Sequence, residues 1–306
     1  MRAVFFGTSE FGVPSLERLV AHHHVACCVT QPDRPQGRGL MEHPSAIRIA
    51  AQRLDVPIEA PSRLREAAAQ LRTVPCDVGI LASYGQMVPA ELLSWPQHGI
   101  LGIHPSLLPK YRGAAPIVWP ILKGDPQTGV TIYRLVQRLD AGEILLQRAT
   151  SIGPRETNIE LHDRLARWSG ELLLEALSSL EQGTATWRPQ DETQATYAPK
   201  LTKSQGVIDW TSGAETIDRM IRALAPWPGA CTTWHGELLK IWTAIPEAAA
   251  KAARPGEVLS ASGDGVVIAA NDGALRVQEL QPACGRCMAA KEFLAGHHLQ
   301  AGDRLG

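Results

Sequence analysis

The first half of the chain alternates short apolar runs with an amphipathic segment, and this alternation constrains the fold more than any other feature. Residues 3–6 and 25–29 are typical of buried strands, and residues 14–20 between them carry apolar side chains at helical spacing. A strand, a helix and a second strand of this size form a βαβ unit with parallel strands and a right-handed crossover. Further apolar runs at 77–82 and 99–103 continue the pattern. We therefore predict an α/β domain with a doubly wound, mostly parallel sheet.

His104 directly follows the apolar run at 99–103, and a stiff loop leads away from it. Three prolines and a glycine between residues 105 and 116 exclude the interior of a helix or strand. In open α/β sheets, ligands bind beyond the carboxyl ends of the strands. An imidazole at that edge indicates a functional site, and the alternative is a surface histidine before a turn.

A second ionisable side chain, Asp140, lies in a tight Asp-Ala-Gly turn between the apolar runs at 128–136 and 144–146. A carboxylate beside an imidazole orients the ring and stabilises its charged form. Such a turn has no functional meaning by itself. Together with His104, it predicts an acid/base pair.

Three segments resemble the folate-dependent formyltransferases. They are His104 with the loop Ser-Leu-Leu-Pro-Lys-Tyr-Arg-Gly-Ala-Ala-Pro of residues 106–116, Thr-Gly-Val-Thr-Ile of 128–132, and Leu-Asp-Ala-Gly of 139–142. The resemblance implies a Rossmann-like formyltransferase domain followed by a small, OB-like C-terminal β-barrel. It also implies that the formyl group of 10-formyltetrahydrofolate, a co-substrate, is transferred to the free amino group of initiator methionyl-tRNA. Neither a metal nor a nucleotide is implied.

The resemblance also implies roles for individual positions. The catalytic positions are His104, Asp140 and Gly102, and at position 102 the family usually has an asparagine whose amide would bind the formyl oxygen. The folate-binding positions are Ser106, Leu107, Leu108, Pro109, Tyr84, Gly85, Met87, Val88 and Leu139. The tRNA-binding positions are Arg34, Arg38 and Arg286.

Two features depart from the family pattern. Gly102 lacks the amide, and loss of one oxyanion donor typically costs about 10²–10³ in rate; Ser106, a main-chain amide or a water are the candidate replacements. Residues 204–306 carry nine Lys and Arg against eleven Asp and Glu, although tRNA favours a basic surface. Two alternative functions remain: a formyltransferase that acts on an amino sugar or other small amine, and a weakly active folate- or RNA-binding relative.

Composition limits the remaining possibilities. A chain of 306 residues can form two domains, and we expect a catalytic domain at 1–183, a linker at 184–203 and a C-terminal barrel that contacts tRNA at 204–306. The net charge of −1 does not by itself indicate a nucleic-acid partner. No apolar run approaches the length of a membrane span, and the first residues enter a strand directly rather than a signal peptide. We expect a cytoplasmic monomer without a membrane partner.

The six cysteines are expected to be reduced thiols in this context. Cys284 and Cys287 form a Cys-x-x-Cys pair with His297 and His298 downstream, but the adjacent histidines do not have the spacing of a structural zinc site. We therefore predict no metal site.

Overall fold

The computed structural model describes residues 1–36, 41–248 and 253–306. By Cα packing these residues divide into two units. The first unit comprises Met1–Pro116, Gln127–Ser151 and His162–Pro199, and the second comprises Ile117–Pro126, Ile152–Leu161 and Lys200–Gly306. Two short segments of the predicted 1–183 domain thus pack with the second unit. The functional division at 1–183, 184–203 and 204–306 stays a prediction.

Strands and helices of the described residues are numbered in chain order. The strands of the first unit are β1 (Arg2–Gly7), β2 (His24–Val29), β3 (Arg34–Gln36), β4 (Met41–His43), β5 (Ile58–Glu59), β6 (Val78–Ala82), β7 (Ile100–His104), β8 (Arg112–Gly113), β9 (Gln127–Arg134), β10 (Ile144–Ser151) and β11 (Tyr197–Ala198). The strands of the second unit are β12 (Ala230–Trp234), β13 (Glu237–Glu247), β14 (Val258–Ser262), β15 (Gly265–Ala269), β16 (Ala274–Pro282) and β17 (Met288–Ala289). The helices are α1 (Val13–His22), α2 (Ala46–Arg53), α3 (Leu64–Leu71), α4 (Ala90–Leu93), α5 (Val118–Lys123), α6 (Asn158–Glu181), α7 (Ala214–Leu224) and α8 (Ala290–Gly296).

The main sheet of the first unit has, within the described residues, seven strands in the order β10-β9-β7-β6-β1-β2-β5. Strands β7, β6, β1, β2 and β5 are parallel neighbours, whereas β9 is antiparallel to both β7 and β10. The prediction of a mostly parallel sheet is confirmed. The carboxyl ends of β6 and β7 lie at the same edge, and His104 is the last residue of β7.

Strand β1 shows why the apolar runs are continuous rather than alternating. Val4 and Phe6 belong to a cluster that also contains Leu64 and Leu71 of α3. Phe5 points to the opposite face of the sheet and is also fully buried. Because both faces of a parallel sheet are covered, every position of its central strands favours an apolar side chain.

The second unit contains an antiparallel sheet. In the described residues its strands follow the order β12-β13-β16-β15-β14, with β17 beside β16. Its core includes Trp210, Ile217, Leu275 and Phe293, each at most 4% exposed. The predicted combination of a Rossmann-like domain and a small C-terminal β domain is confirmed.

Across the three described ranges, no helix has both the length and the apolar character needed to cross a bilayer. The same ranges hold no group of three or more His, Cys, Asp or Glu side chains placed to bind a metal ion.

Candidate active site

His104 is held in one orientation at the end of β7, where it is 6% exposed. Its Nε2 lies 2.8 Å from the carbonyl oxygen of Tyr111. Because a carbonyl oxygen only accepts hydrogen bonds, Nε2 carries hydrogen and the lone pair of the neutral ring lies on Nδ1. This Nδ1 lies 3.8 Å from Oδ2 of Asp140. The ring can therefore gain or lose a proton at Nδ1 while its orientation stays fixed.

The Asp140 carboxylate accepts hydrogen bonds at both oxygens. The amide of Gly113 donates to Oδ2 at 2.8 Å, and the hydroxyl of Tyr133 donates to Oδ1 at 2.7 Å. Asp140 has a φ of +48°, a conformation in which aspartate and asparagine are more frequent than most residues. The structure thus brings together the two ionisable groups that the sequence pairs, with a charged carboxylate facing the imidazole.

Tyr133 is buried beside these groups. Burial, and then the neighbouring Asp140 carboxylate, raise the pKa of the Tyr133 phenol well above its usual value. The hydroxyl therefore stays protonated and keeps donating to Asp140. The sequence carries no signal for this residue, because a tyrosine in an apolar strand is ordinary core.

The loop after His104 is fixed by side chains of β9 and β10. The hydroxyl of Thr131 donates to the carbonyl of Ser106 at 2.7 Å and accepts from the amide of Leu108 at 3.2 Å. The Gln147 amide donates to the carbonyl of Leu108 at 2.9 Å. The Ser106 hydroxyl donates to the carbonyl of Lys110 at 2.6 Å. Since that hydrogen is already engaged, Ser106 does not provide a free donor in place of the missing amide.

The apolar positions predicted to contact folate differ in exposure. Leu108 is buried, Leu107 and Pro109 are half-buried, and Leu139 is 51% exposed. These side chains adjoin the His104 loop or the Asp140 turn in sequence. The exposed ones supply apolar surface that a flat ring system can cover.

Two of the predicted folate contacts in the turn after β6 are buried. Tyr84 and Val88 belong to the core cluster of the first unit, and burial raises the pKa of Tyr84 to about 12. Gly85 and Met87 are exposed, Met87 to 64%. The carbonyl of Tyr84 accepts from the amide of Gln31 at 2.7 Å. Of the four predicted contact residues in this turn, only Met87 therefore presents an exposed side chain to a ligand.

Sequence reasoning missed a buried arginine that ties the loop to a later segment. Arg112 is 0% exposed, and its guanidinium donates to Gln190 at 2.7 and 3.1 Å and to Glu192 at 2.9 and 3.1 Å. The Gln190 amide in turn donates to the carbonyls of Asp140 and Gly142 at 2.8 and 2.7 Å. Arg112 and Gln190 therefore connect the His104 loop to the Asp140 turn.

The segment predicted as a linker, 184–203, also supports the site, through backbone pairing and through one side-chain hydroxyl. Strand β11 within it pairs with β8, and the hydroxyl of Thr196 accepts from the amide of Tyr111 at 2.9 Å. Tyr111 is the residue whose carbonyl holds His104. Thr196 therefore provides an acceptor for the loop, and the assignment of 184–203 as a linker stays a prediction.

The three predicted tRNA contacts lie far apart in the chain. Arg34 is the first residue of β3, and Arg38 lies outside the described residues. The Arg286 side chain is 70% exposed and is paired with Glu292. Arg34 belongs to the first unit and Arg286 to the second, and the assignment of all three residues to tRNA stays a prediction.

Comparison with known proteins agrees with the fold. The family described as "Formyl transferase" matches residues 1–177, and the family described as "Formyl transferase, C-terminal domain" matches residues 200–298. The chain therefore belongs to the formyl transferase family.

Relatives that match over the full length have a more specific name. Proteins named "Methionyl-tRNA formyltransferase" from Methylococcus capsulatus and Solibacter usitatus are 44% and 43% identical, over all of this chain and 100% and 99% of the relative. The protein of that name from Geobacter metallireducens is 40% identical over 99% of this chain and 98% of its own.

Two solved structures share the fold at low identity. Aquifex aeolicus HypX in complex with tetrahydrofolic acid aligns with a TM-score of 0.67 and 22% identity over 96% of this chain, and the match spans 47% of HypX. The sugar 3N-formyl transferase WlaRD, solved in the presence of dTdp and 5-N-Formyl-THF, aligns with a TM-score of 0.67 and 17% identity over 92% of this chain and 97% of its own.

Proposed function

We propose that this chain transfers the formyl group of 10-formyltetrahydrofolate to the amino group of initiator methionyl-tRNA. The observation that carries this conclusion is identity of 40–44% with methionyl-tRNA formyltransferases over both domains and the full length. These alignments include the C-terminal domain as well as the catalytic domain, so the similarity is not limited to the formyl-transfer site. A small-amine acceptor gains no specific support from the site.

The reaction needs a proton to move between two nitrogens. The neutral amine attacks the formyl carbon, and the C–N bond to the folate nitrogen breaks as the amide forms. In our proposal, Nδ1 of His104 takes the proton that the attacking amine loses and gives it to the leaving nitrogen. The imidazolium also stabilises negative charge on the formyl oxygen, and Asp140 stabilises the imidazolium from 3.8 Å.

Binding of the two substrates is assigned to the predicted positions. The exposed side chains of Met87 and Leu139, with half-buried Leu107, would cover the folate ring. Arg34, Arg38 and Arg286 are proposed to contact tRNA phosphates, for which guanidinium groups are suited.

We further propose that the protein acts as a monomer in the cytoplasm. Charged initiator tRNA is consumed in the cytoplasm, where the formylated product would be used.

The test is single-turnover transfer of labelled formyl from 10-formyltetrahydrofolate to three acceptors offered separately: initiator methionyl-tRNA, free methionine and an amino sugar. We expect transfer to methionyl-tRNA, loss of transfer in His104→Ala, and normal transfer in the control His98→Ala. Transfer to the amino sugar with none to tRNA would overturn the proposal.

A further inference from the structure

Gly102 and Tyr133 occupy a shared space in the sheet. The two residues lie directly opposite each other in the antiparallel pair β7–β9, so their side chains project from the same face. A Cβ placed on Gly102 would lie 2.3 Å from Cε1, 2.5 Å from Cζ and 2.8 Å from the hydroxyl oxygen of Tyr133. The backbone of Gly102 is outside the left-handed region, so the obstacle to a side chain there is steric, and the nearest atoms are those of the tyrosine ring.

The ring that fills this space is also tied to the candidate catalytic pair. The Tyr133 hydroxyl donates to Oδ1 of Asp140 at 2.7 Å, and its ring meets the His104 ring edge-on with centroids 6.4 Å apart. Tyr133 is 2% exposed, so the hydrogen bond is shielded from water. Displacing the ring would therefore disturb both its contact with His104 and the orientation of Asp140.

We propose that Tyr133 is a positioning residue that holds Asp140 towards His104, and that glycine at position 102 is required to admit it. Glycine in place of the usual asparagine at position 102 is then coupled to the tyrosine at position 133, and is not merely the loss of an amide. The γ-amide of a side chain at 102 would reach the volume that the Tyr133 hydroxyl now fills, because the Cβ already lies 2.8 Å from that oxygen. Either the Tyr133 hydroxyl or a side-chain amide at position 102 can occupy this volume, but not both.

This inference rests on the proposed function, and it predicts how variants combine. Tyr133→Phe removes only the hydroxyl and should lower the single-turnover rate of methionyl-tRNA formylation by about 10- to 100-fold, with KM for both substrates within about twofold. Gly102→Asn should lower the rate as well, because the asparagine and the ring cannot coexist. In the Tyr133→Leu background, which vacates the outer ring positions, Gly102→Asn should instead raise the rate by about tenfold.

The change of sign separates positioning from a purely structural role. A structural role would make Gly102→Asn with Tyr133→Leu no faster than Tyr133→Leu alone, and this result would overturn the proposal. So would a Tyr133→Phe rate within about twofold of the unaltered protein, or a higher rate in Gly102→Asn alone.

A measurement without substrate keeps the inference separate from the proposed function. Thermal unfolding should show a lower Tm for Gly102→Ala than for the unaltered chain, and no such drop when Gly102→Ala is added to Tyr133→Leu. If the unaltered chain formylates no methionyl-tRNA, the proposed function fails while this unfolding test still applies. An unchanged Tm in Gly102→Ala alone would refute the shared space itself.

Discussion

Replacing Asp140 with asparagine tests the candidate site most directly. Asparagine keeps the size of the side chain and tolerates the φ of +48°, so the backbone is not strained. The amide has one acceptor oxygen, whereas Gly113 and Tyr133 each donate to a separate carboxylate oxygen. One buried donor would lose its acceptor, and leaving such a group unpaired costs about 1–3 kcal/mol. We expect the free energy of unfolding to fall by about 2 kcal/mol.

The same substitution removes the charge that faces His104. At the observed 3.8 Å from Nδ1 to Oδ2, and with an effective dielectric constant of about 20, the attraction between imidazolium and carboxylate is about 4 kcal/mol. Only part of this attraction differs between the ground state and the transition state, so about 4 kcal/mol is an upper limit. We expect kcat to fall by about 10²- to 10³-fold.

Single-turnover formylation at saturating substrates would measure the rate, and urea unfolding would measure the stability of the same preparation. Asp163→Asn is a matched control, because Asp163 lies 3.0 Å from His162 in a pair whose carboxylate is 59% exposed. Exposed pairs contribute about 0–1 kcal/mol, so both quantities should stay near those of the unaltered protein. A rate within about threefold of wild type in Asp140→Asn would remove the carboxylate from the proposed mechanism.

Two further substitutions test the supports of the fold. Arg112→Met removes a fully buried guanidinium, whereas its partner Glu192 is 45% exposed and can be rehydrated. We therefore expect the free energy of unfolding in urea to fall by about 2–3 kcal/mol, less than for a fully buried pair. A fall of under about 1 kcal/mol would contradict this expectation. Asp77→Asn removes a carboxyl whose pKa is lowered to about 2, chiefly by hydrogen bonds from Arg2. A depressed pKa stabilises the folded state above the ordinary pKa, and this contribution is lost as the pH falls towards about 2. The Asp77 carboxylate is 25% exposed and partly screened, so we expect Asp77→Asn to be less stable than the unaltered protein by about 1 kcal/mol at pH 7. This difference in stability should shrink between pH 5 and pH 3. A difference that stays constant with pH would be incompatible with this linkage.

The sequence alone determined the features that depend on local pattern. The buried strands are visible because a sheet covered on both faces requires apolar residues at every position. His104 could be placed at the carboxyl edge of the sheet, where ligands bind, because a loop rich in proline and glycine directly follows its strand. Asp140 could be paired with His104 because its tight turn, residues 139–142, lies between two strand-like runs and resembles a family motif.

Only the tertiary structure decided what surrounds these two groups. The site is supported by residues at different distances along the chain. Tyr133 donates to Asp140 from seven residues earlier, and Gln190 reaches the same turn from 50 residues later, from a segment whose polar composition predicts a linker. From the sequence, Gly102 is only a position without a side-chain amide. The register of β7 against β9 shows that the Tyr133 ring fills the space beside it. Strand register and buried hydrogen bonds depend on which residues meet in three dimensions, and composition or spacing along one chain does not specify such meetings.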